Sequence, residues 1–332
     1  MIEEQPDRIR LEVSQARALA EHALVGIGYD LRGARILADH MIDAALCGYE
    51  YSGLPKILNV AEYREKRPST GPVRVIRQTT VATLLDGQGN NGMLALHDAT
   101  ELAISAAGAH GFALVGVNNT WMSGRGAYYV EKLARAGLIG IHTVSSRPQV
   151  APPGGKRAAL GTNPIAFGFP TEDEPLLIDI GTSALMFTDL ALRARRGELL
   201  PEGVAIDAQG RPTRDPFLAS QGAALPFGAY KGYALALAMQ ALGVLAGSGS
   251  DPEGAGYLIL AMQPDLMMPL DQYRRDLSES LARIKATPKQ AGVDEIRLPS
   301  ERAFRERATR QREGIVIDLE IYQALQGWAE RA

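Results

Sequence analysis

An α/β or α+β architecture is what the sequence predicts, and three observations predict it. Segments with apolar residues at three- and four-residue spacing alternate with short runs of branched and aromatic residues. The chain has 332 residues, 46% hydrophobic and 22% charged, which is the make-up of a folded globular protein with core enough for two or three domains. No internal repeat or low-complexity tract interrupts the alternation.

Residues 13–25 and 32–47 read as the first two helices. Ser14 is placed to cap the first, Gly26 and Gly28 to stop it, and Gly53 with Pro55 to end the second. Residues 73–77 and 81–85 are rich in branched side chains and read as strands. Residues 94–107 form a helix of apolar and small residues, 112–117 a buried strand and 127–136 another helix. Three short strands follow at 138–144, 165–169 and 176–180. Between them, residues 148–164 are rich in Gly and Pro and read as a loop long enough to carry function. Residues 190–222 are polar and punctuated by turns. The stretch 233–247 is the longest apolar one, but it carries Gln240 and falls short of the ~20 residues of a membrane span, so it reads as a buried helix. A link at 248–256, a strand at 257–263, an amphipathic helix at 270–285 and a charged helix at 301–314 complete the reading.

Charge and cysteine usage narrow the function. The formal net charge is −3 with no basic stripe, which argues against a nucleic-acid or anionic-membrane partner. A single cysteine, Cys47, excludes an intrachain disulfide framework and suits a reducing, cytoplasmic setting. The first eight residues are too charged for a signal peptide. His22, His40, His97, His110 and His142 form no HExxH and pair with no CxxC, so no protein-built metal site is read. His142 lies inside a predicted strand and reads as structural rather than as a base.

Gly87-Gln88-Gly89-Asn90-Asn91-Gly92 follows a predicted strand and precedes a helix, the context of a dinucleotide-binding GxGxxG. Physically, such glycines let a backbone approach a pyrophosphate at a helix N-terminus. The acidic residue expected at the end of the next strand is missing; Asn118 and Asn119 stand there instead. A plain glycine turn before a helix explains the motif as well.

The middle of the chain is more specific. It carries Ala151-Pro152-Pro153-Gly154-Gly155, Leu160-Gly161-Thr162-Asn163-Pro164, Ile178-Asp179-Ile180-Gly181-Thr182-Ser183 and Pro226-Phe227-Gly228-Ala229-Tyr230-Lys231-Gly232, and then Leu298-Pro299-Ser300-Glu301-Arg302. This ordered series resembles the type-2 malate/L-lactate dehydrogenase family of NAD(P)-dependent oxidoreductases. That family also holds ureidoglycolate, sulfolactate and diketogulonate enzymes and the piperideine-2-carboxylate/pyrroline-2-carboxylate (cyclic ketimine) reductases. The resemblance implies a homodimer with a non-Rossmann, malate/L-sulfolactate dehydrogenase-like fold. Its cofactor domain would have a mainly antiparallel or mixed sheet, and a helical domain would come from both termini. In this sequence that division would be 1–55 with 286–332 (helical), 56–118 with 190–285 (mixed α/β) and 119–189 (NAD(P)-binding). The glycines of 87–92 would then be structural. The substrate would be a small 2-keto, 2-hydroxy or 2-imino acid, and the cofactor NAD or NADP.

The sequence departs from the family pattern where the chemistry is. A Ser-His-Gly triplet with an Arg four residues past the His is usual; here Tyr51, Ser52 and Gly53 fill the triplet and Lys56 replaces the Arg. In a second motif, Asn119-Thr120-Trp121-Met122-Ser123-Gly124, Met122 stands for the other histidine. Methionine moves no protons, and a serine hydroxyl is a poor acid near neutrality. The proton donor therefore has to be sought among Asp189, Tyr51 and Lys56. Asp189 matches an aspartate that orients the histidine in the ketimine reductases. Lys56 is also placed to hold the substrate carboxylate, or to be a solvated helix-end lysine, and Thr162 and Asn163 to bind substrate or to cap a turn. The cofactor would touch Thr120, Trp121, Met122, Ser123, Gly124, Arg125, Asp179, Ile180, Gly181, Lys231, Ser300, Glu301 and Arg302. For Arg125, Asp179, Lys231 and Ser300 a surface residue, an ion pair or a helix cap is the plain alternative.

Overall fold

The computed structural model describes residues 7–186, 190, 193–194, 197–249 and 254–332. At its centre is one seven-stranded mixed sheet, built from β2 (Arg74–Gln78), β3 (Ala82–Asp86), β4 (Phe112–Asn118), β5 (Ile139–Ser145), β6 (Ile165–Phe169), β7 (Leu176–Ile180) and β10 (Gly256–Met262). Their order is β2-β3-β4-β10-β5-β6-β7. Only β3 and β4 run parallel, joined across helix α4 (Gly92–His110), as a parallel pair requires. The late strand β10 pairs antiparallel with both β4 and β5, so it is the middle of the sheet. Its sequence Tyr257-Leu258-Ile259-Leu260-Ala261 is apolar without alternation, because both of its faces are covered.

Tyr257, Ile259 and Ala261 join a core with α4 and α5 (Gly126–Arg135) on one face. On the other face lies α7 (Tyr230–Leu245), packed so close that a Cβ at Gly243 would fall 1.8 Å from Ser145 Oγ. The loop side of the sheet carries the small pair β8 (Ala205–Ile206) and β9 (Ala223–Ala224) and the short helix α6 (Pro216–Gln221).

The two termini meet. β1 (Arg8–Leu11) pairs antiparallel with β11 (Ile315–Asp318), and α1 (Val13–Gly26) packs on α2 (Leu31–Leu46) and α10 (Leu319–Ala329) around Leu24, Leu37, Met41 and Leu325. The sheet draws strands from both the 56–118/190–285 segments and the 119–189 segment.

Several local expectations change. Glu12, not Ser14, occupies the N-cap of α1, with the Gln15 side chain accepting from the Glu12 N–H at 3.0 Å. α2 ends at Leu46, before Gly53; a 3₁₀ turn, Glu50–Ser52, fills the gap. Residues 56–66, read from sequence as no element, form α3 (Lys56–Lys66), and β1, β11 and α10 were likewise not anticipated. α8 (Leu270–Lys285) and α9 (Glu301–Glu313) lie as expected.

A buried ion network bolts the terminal helices to the sheet. The Arg307 guanidinium of α9 grips both Glu131 carboxylate oxygens at 2.6 Å and reaches Asp43 of α2 at 2.8 Å. Arg125 holds the other Asp43 oxygen at 2.7 Å, and Arg135 closes on Glu131 at 2.7 Å. Burial alone would raise the Glu131 carboxyl, but Arg307 and Arg135 hold it below the usual carboxylate range. Replacing Arg307 by Leu leaves two inward carboxylates short of a cation. We expect Arg307→Leu to lower the unfolding free energy by about 3 kcal/mol in urea denaturation; a loss under about 0.5 kcal/mol would show the network to be ornamental.

Candidate active site

Three segments converge on one cleft. The first is α3. Gly53 lets the chain turn hard against α2, where a Cβ would sit 2.8 Å from Ala45 Cβ, and Pro55 then starts the helix. Lys56 and Tyr63, seven residues apart, share one face of α3, and Arg67 follows at its C-terminal cap. The second segment is the β4–α5 connection from Asn118 to Arg125. The third is the long loop after β5, which contributes Ser146, Arg147 and Thr162.

The second segment is pinned. The Gly87, Gly89 and Gly92 N–H groups donate to the carbonyls of Asn118 (2.8 Å), Asn119 (2.8 Å) and Trp121 (2.5 Å). The Trp121 indole N–H answers to the Gly89 carbonyl at 2.9 Å, and the indole stacks on Tyr63 at 5.3 Å. The amides a pyrophosphate would need are thus already used by the protein. The GxGxxG is the turn that shapes the cleft wall, as the family resemblance implied.

At the other end, His40 lies under Gly124. Its Nε2 accepts the Arg125 N–H at 2.8 Å, and burial pushes its pKa down to about 3, so it stays neutral. Gly124 has φ +72°, and a Cβ there would come within 2.2 Å of His40 Nε2. His142 is buried in β5, is pushed down to about 4 by that burial, and donates from Nδ1 to the Leu258 carbonyl at 3.1 Å. It is structural, as expected.

The cleft has two adjoining chambers. One of about 350 Å³ is lined by Lys56, Tyr63, Met122, Arg147, Thr162 and Tyr257 among others. The next, about 400 Å³, shares Arg67, Thr120, Trp121 and Ala255 with it. Among the described residues, neither wall contains an Asp or Glu. Lys56, Arg67 and Arg147 bring positive charge and form no ion pair among the described residues. Burial away from any counter-charge lowers the Lys56 pKa. Such a site attracts oxyanions, and burial makes its ammonium a stronger acid than an exposed lysine.

Of the residues singled out by sequence, Lys56, Thr120, Trp121, Met122, Ser123, Gly124 and Thr162 come together in the first chamber. Tyr51 and Ser52 sit in the 3₁₀ turn before α3 and do not line it. Asp189 lies outside the described residues.

Two assignments need correction. Asn163 is fully buried: its side-chain oxygen takes the Ser146 N–H at 3.0 Å and its amide donates to the Ala236 carbonyl at 3.0 Å, so it fastens the loop to α7 and leaves nothing for substrate. Arg125 turns away from the cleft into its ion pair with Asp43, under the Tyr49 ring.

The remaining cofactor candidates line neither chamber. Asp179 accepts the Ala127 N–H at 2.8 Å and caps α5. Ile180 and Gly181 are exposed at the end of the edge strand, behind Thr162, whose carbonyl accepts the Thr182 N–H at 2.9 Å. Lys231 is exposed at the start of α7. Ser300 begins α9 with φ +67°, Glu301 pairs with Lys285, and Arg302 lies over Tyr49 at 5.1 Å. Tyr63, Arg67, Arg147 and Gln149 of the walls were not anticipated. The i, i+7 spacing of Lys56 and Tyr63 was the signal that could have found Tyr63.

The sequence pattern described as malate/L-lactate dehydrogenase matches residues 11–326. The chain belongs to that family. It is 30% identical to the malate/(S)-sulfolactate dehydrogenase of Methanothermus fervidus, over 95% of this chain and 96% of that protein. Its fold superposes on a dehydrogenase from Sinorhizobium meliloti with a TM-score of 0.88, at 29% identity over 97% of this chain and 98% of the other. On the delta1-piperideine-2-carboxylate reductase of Pseudomonas syringae pvar. tomato the TM-score is 0.84, at 28% identity over 96% and 99% of the two chains.

Membership makes this chain an NAD(P)-dependent oxidoreductase and implies a nicotinamide cofactor. The residues present fit one: a cleft whose described lining has no carboxylate, and whose guanidinium and ammonium groups form no ion pair among the described residues, accepts the negative charge of a dinucleotide, and Met122 with the Trp121 face offers apolar wall to its ring. The fit depends on the pinned segment. Gly124→Ala should drive Cβ into His40 at a positive φ, cost roughly 1–3 kcal/mol in thermal unfolding and weaken NADH or NADPH binding in fluorescence titration. Unchanged melting and binding would mean that the segment is not held as described.

Proposed function

We propose that this chain catalyses hydride transfer between NAD(P)(H) and C2 of a small 2-keto/2-hydroxy or 2-imino acid, with Lys56 as the proton donor. One observation supports this most: a half-buried ammonium with no counter-ion among the described residues stands in a chamber whose described lining, Met122 and Thr162 included, has no carboxylate. The family's two histidine positions are filled by Ser52, outside the chamber wall, and Met122, which cannot carry a proton. The remaining ionisable groups in that wall are Tyr63, Arg67, Arg147 and Tyr257. Burial pushes the Tyr257 phenol up, and guanidinium does not deprotonate. Lys56 is the group whose burial moves it towards use near neutrality.

The nicotinamide, when bound, supplies or receives the hydride. Arg147 holds the substrate carboxylate as a cation with a planar fork. Lys56 Nζ gives its proton to the carbonyl oxygen or imine nitrogen as electrons move onto that atom, and is reprotonated from water. Thr162, fixed through its carbonyl to Thr182, and Met122 keep the reacting carbon against an ordered wall and exclude water.

The names of relatives support both branches of the substrate class, hydroxy acids and cyclic imino acids. A homodimer is part of this reading: α7 leaves Leu237, Val244 and Leu245 exposed on one side of the molecule. A reducing, cytoplasmic setting agrees with the buried, unpaired Cys47. No helix among the described residues is long and apolar enough to cross a membrane.

A second reading rests on the same Ser52 and Met122: a family member that binds nucleotide and metabolite without turnover. Fluorescence titration with NADH and NADPH, followed by assays on pyruvate, oxaloacetate and cyclic imino acids, separates the two, since binding without turnover on any of them supports the second. For the first, Lys56→Arg keeps the charge but withholds the proton. We expect kcat to fall by roughly 100-fold or more with KM little changed; a retained kcat would reduce Lys56 to a carboxylate anchor. The rate of reduction in the parent chain should be flat at low pH and fall as pH rises through the Lys56 pKa, below the ordinary 10.5, because the donor is the protonated form.

A further inference from the structure

Tyr257 lines the first chamber, and the proton transfer above gives it no role. Of the polar side chains in that lining, Trp121 and Tyr257 are the buried ones among the described residues. The Trp121 N–H is already given to the Gly89 carbonyl. Tyr257 is 3% exposed, and its hydroxyl makes no hydrogen bond among the described residues. Packing does not require that hydroxyl, since a phenylalanine ring would fill the same place. A buried hydroxyl without a partner costs free energy, and the loss is recovered when a bound molecule supplies the acceptor.

The ring is fixed in position. Tyr257 follows Gly256 at the start of β10 and pairs with Val117 of β4 on one side and Val144 of β5 on the other. It therefore stands where those two strands give way to the pinned segment and to the loop that carries Arg147 and Thr162. It lies nearly parallel to the His142 ring, with 10° between planes and 6.4 Å between centroids. Tyr129 meets the same His142 ring edge-on at 5.2 Å and donates a hydrogen bond to the Ser123 carbonyl at 2.5 Å. The three rings form one block with the chamber wall.

We propose that Tyr257 is a second catalytic residue, whose hydroxyl donates a hydrogen bond to the C2 oxygen of a 2-oxo acid while Lys56 delivers its proton to the same atom. The proposal rests on the first chamber being the reaction site and on Lys56 being the acid. A carbonyl oxygen has two lone pairs and can accept from both groups. As C2 takes up the hydride, the carbonyl π pair moves onto the oxygen, an Nζ–H bond of Lys56 breaks, and that proton bonds to the oxygen. The Tyr257 O–H bond stays whole. Its hydrogen bond strengthens as charge gathers on the oxygen, so it favours the transition state over the bound substrate. Burial pushes the phenol above its ordinary value, which suits a donor that has to keep its proton. An imine nitrogen differs: its single in-plane lone pair goes to the Lys56 proton and leaves Tyr257 no acceptor.

The test is Tyr257→Phe, which removes the hydroxyl and keeps the ring against His142, so its melting temperature should match that of the parent chain. In steady-state reduction of pyruvate and oxaloacetate, its kcat should fall by roughly 100-fold with KM little changed. The fall of the rate with rising pH should stay where Lys56 puts it in the parent chain, because the substitution removes no acid that gives up its proton. With Δ1-piperideine-2-carboxylate, kcat should change far less. An unchanged kcat on the two 2-oxo acids, with Lys56→Arg still impaired, overturns the proposal and leaves the reading of Lys56 intact. A loss as large on the cyclic imine, or a parent chain that reduces the cyclic imine alone, overturns the C2 oxygen as the atom Tyr257 serves. Disappearance of the fall with pH in Tyr257→Phe makes the phenol itself the acid and overturns both readings, as does a parent chain that reduces none of the three.

Discussion

The chain from Asn118 to Arg125 must be held still, and the rest of the site depends on that constraint. After Asn118 leaves β4 it has no helix or strand, it contains two non-glycine residues at positive φ (Asn119 and Met122), and it forms the wall shared by both chambers. Such a segment is costly to order. It is ordered from both ends. Three glycine N–H groups take its first carbonyls, and neutral His40 takes the N–H of its last residue while Asp43 takes that residue's side chain. A larger residue at position 87 would displace it too, since a Cβ there would lie 2.8 Å from the Asn119 carbonyl.

That clamp explains why the fold places its helices where it does. His40 and Asp43 are on α2, a helix of the terminal layer, whereas Arg125 leads into α5 against the sheet. The pinned segment is the seam between the two layers. Arg307, arriving from the far end of the chain, neutralises the remaining charge on Asp43 and Glu131 and so joins a late helix to the same seam. Lys56 comes from α3, on the terminal-layer side, and Thr162 and Arg147 from the loop of the sheet side. The cleft is the gap left where these layers meet.

Much of the sheet was legible because its strands are short, branched and bounded by Gly or Pro; β6 and β7 fall where the pattern puts them. The central place of β10 was not legible, since it pairs with β5 between residues more than 110 positions apart, from Gly256 with Ser145 to Met262 with Ile139, and such partners leave no local trace. α3 escaped because only Ile57, Val60 and Ala61 of its eleven residues are buried, too weak a stripe among its charges. β1 and β11 are four residues each and exist only as partners of one another. At the site, residue type marked the polar positions but not their direction. Asn163 and Thr162 are neighbours, yet one fastens the loop and the other faces the chamber. Arg125 and Arg147 are both arginines beside small residues, and only a carboxylate from α2, unseen in the sequence, decides that the first is structural.

Met122 and Lys56 are best understood together. A histidine in the wall of this chamber would bring a second group that can be charged, and a neighbouring positive charge lowers an ammonium pKa only while it is itself protonated. Methionine offers no charge at all, and the lowering of the Lys56 pKa comes from burial. Burial does not depend on the protonation of a neighbour, and no carboxylate lines either chamber among the described residues. Holding Met122 at φ +57° is a strain of the kind that persists where surrounding contacts over-determine a position. The pinned segment supplies those contacts. Methionine at this position is therefore compatible with the proposed proton transfer from Lys56, whose own burial, and not a neighbouring charge, lowers its pKa.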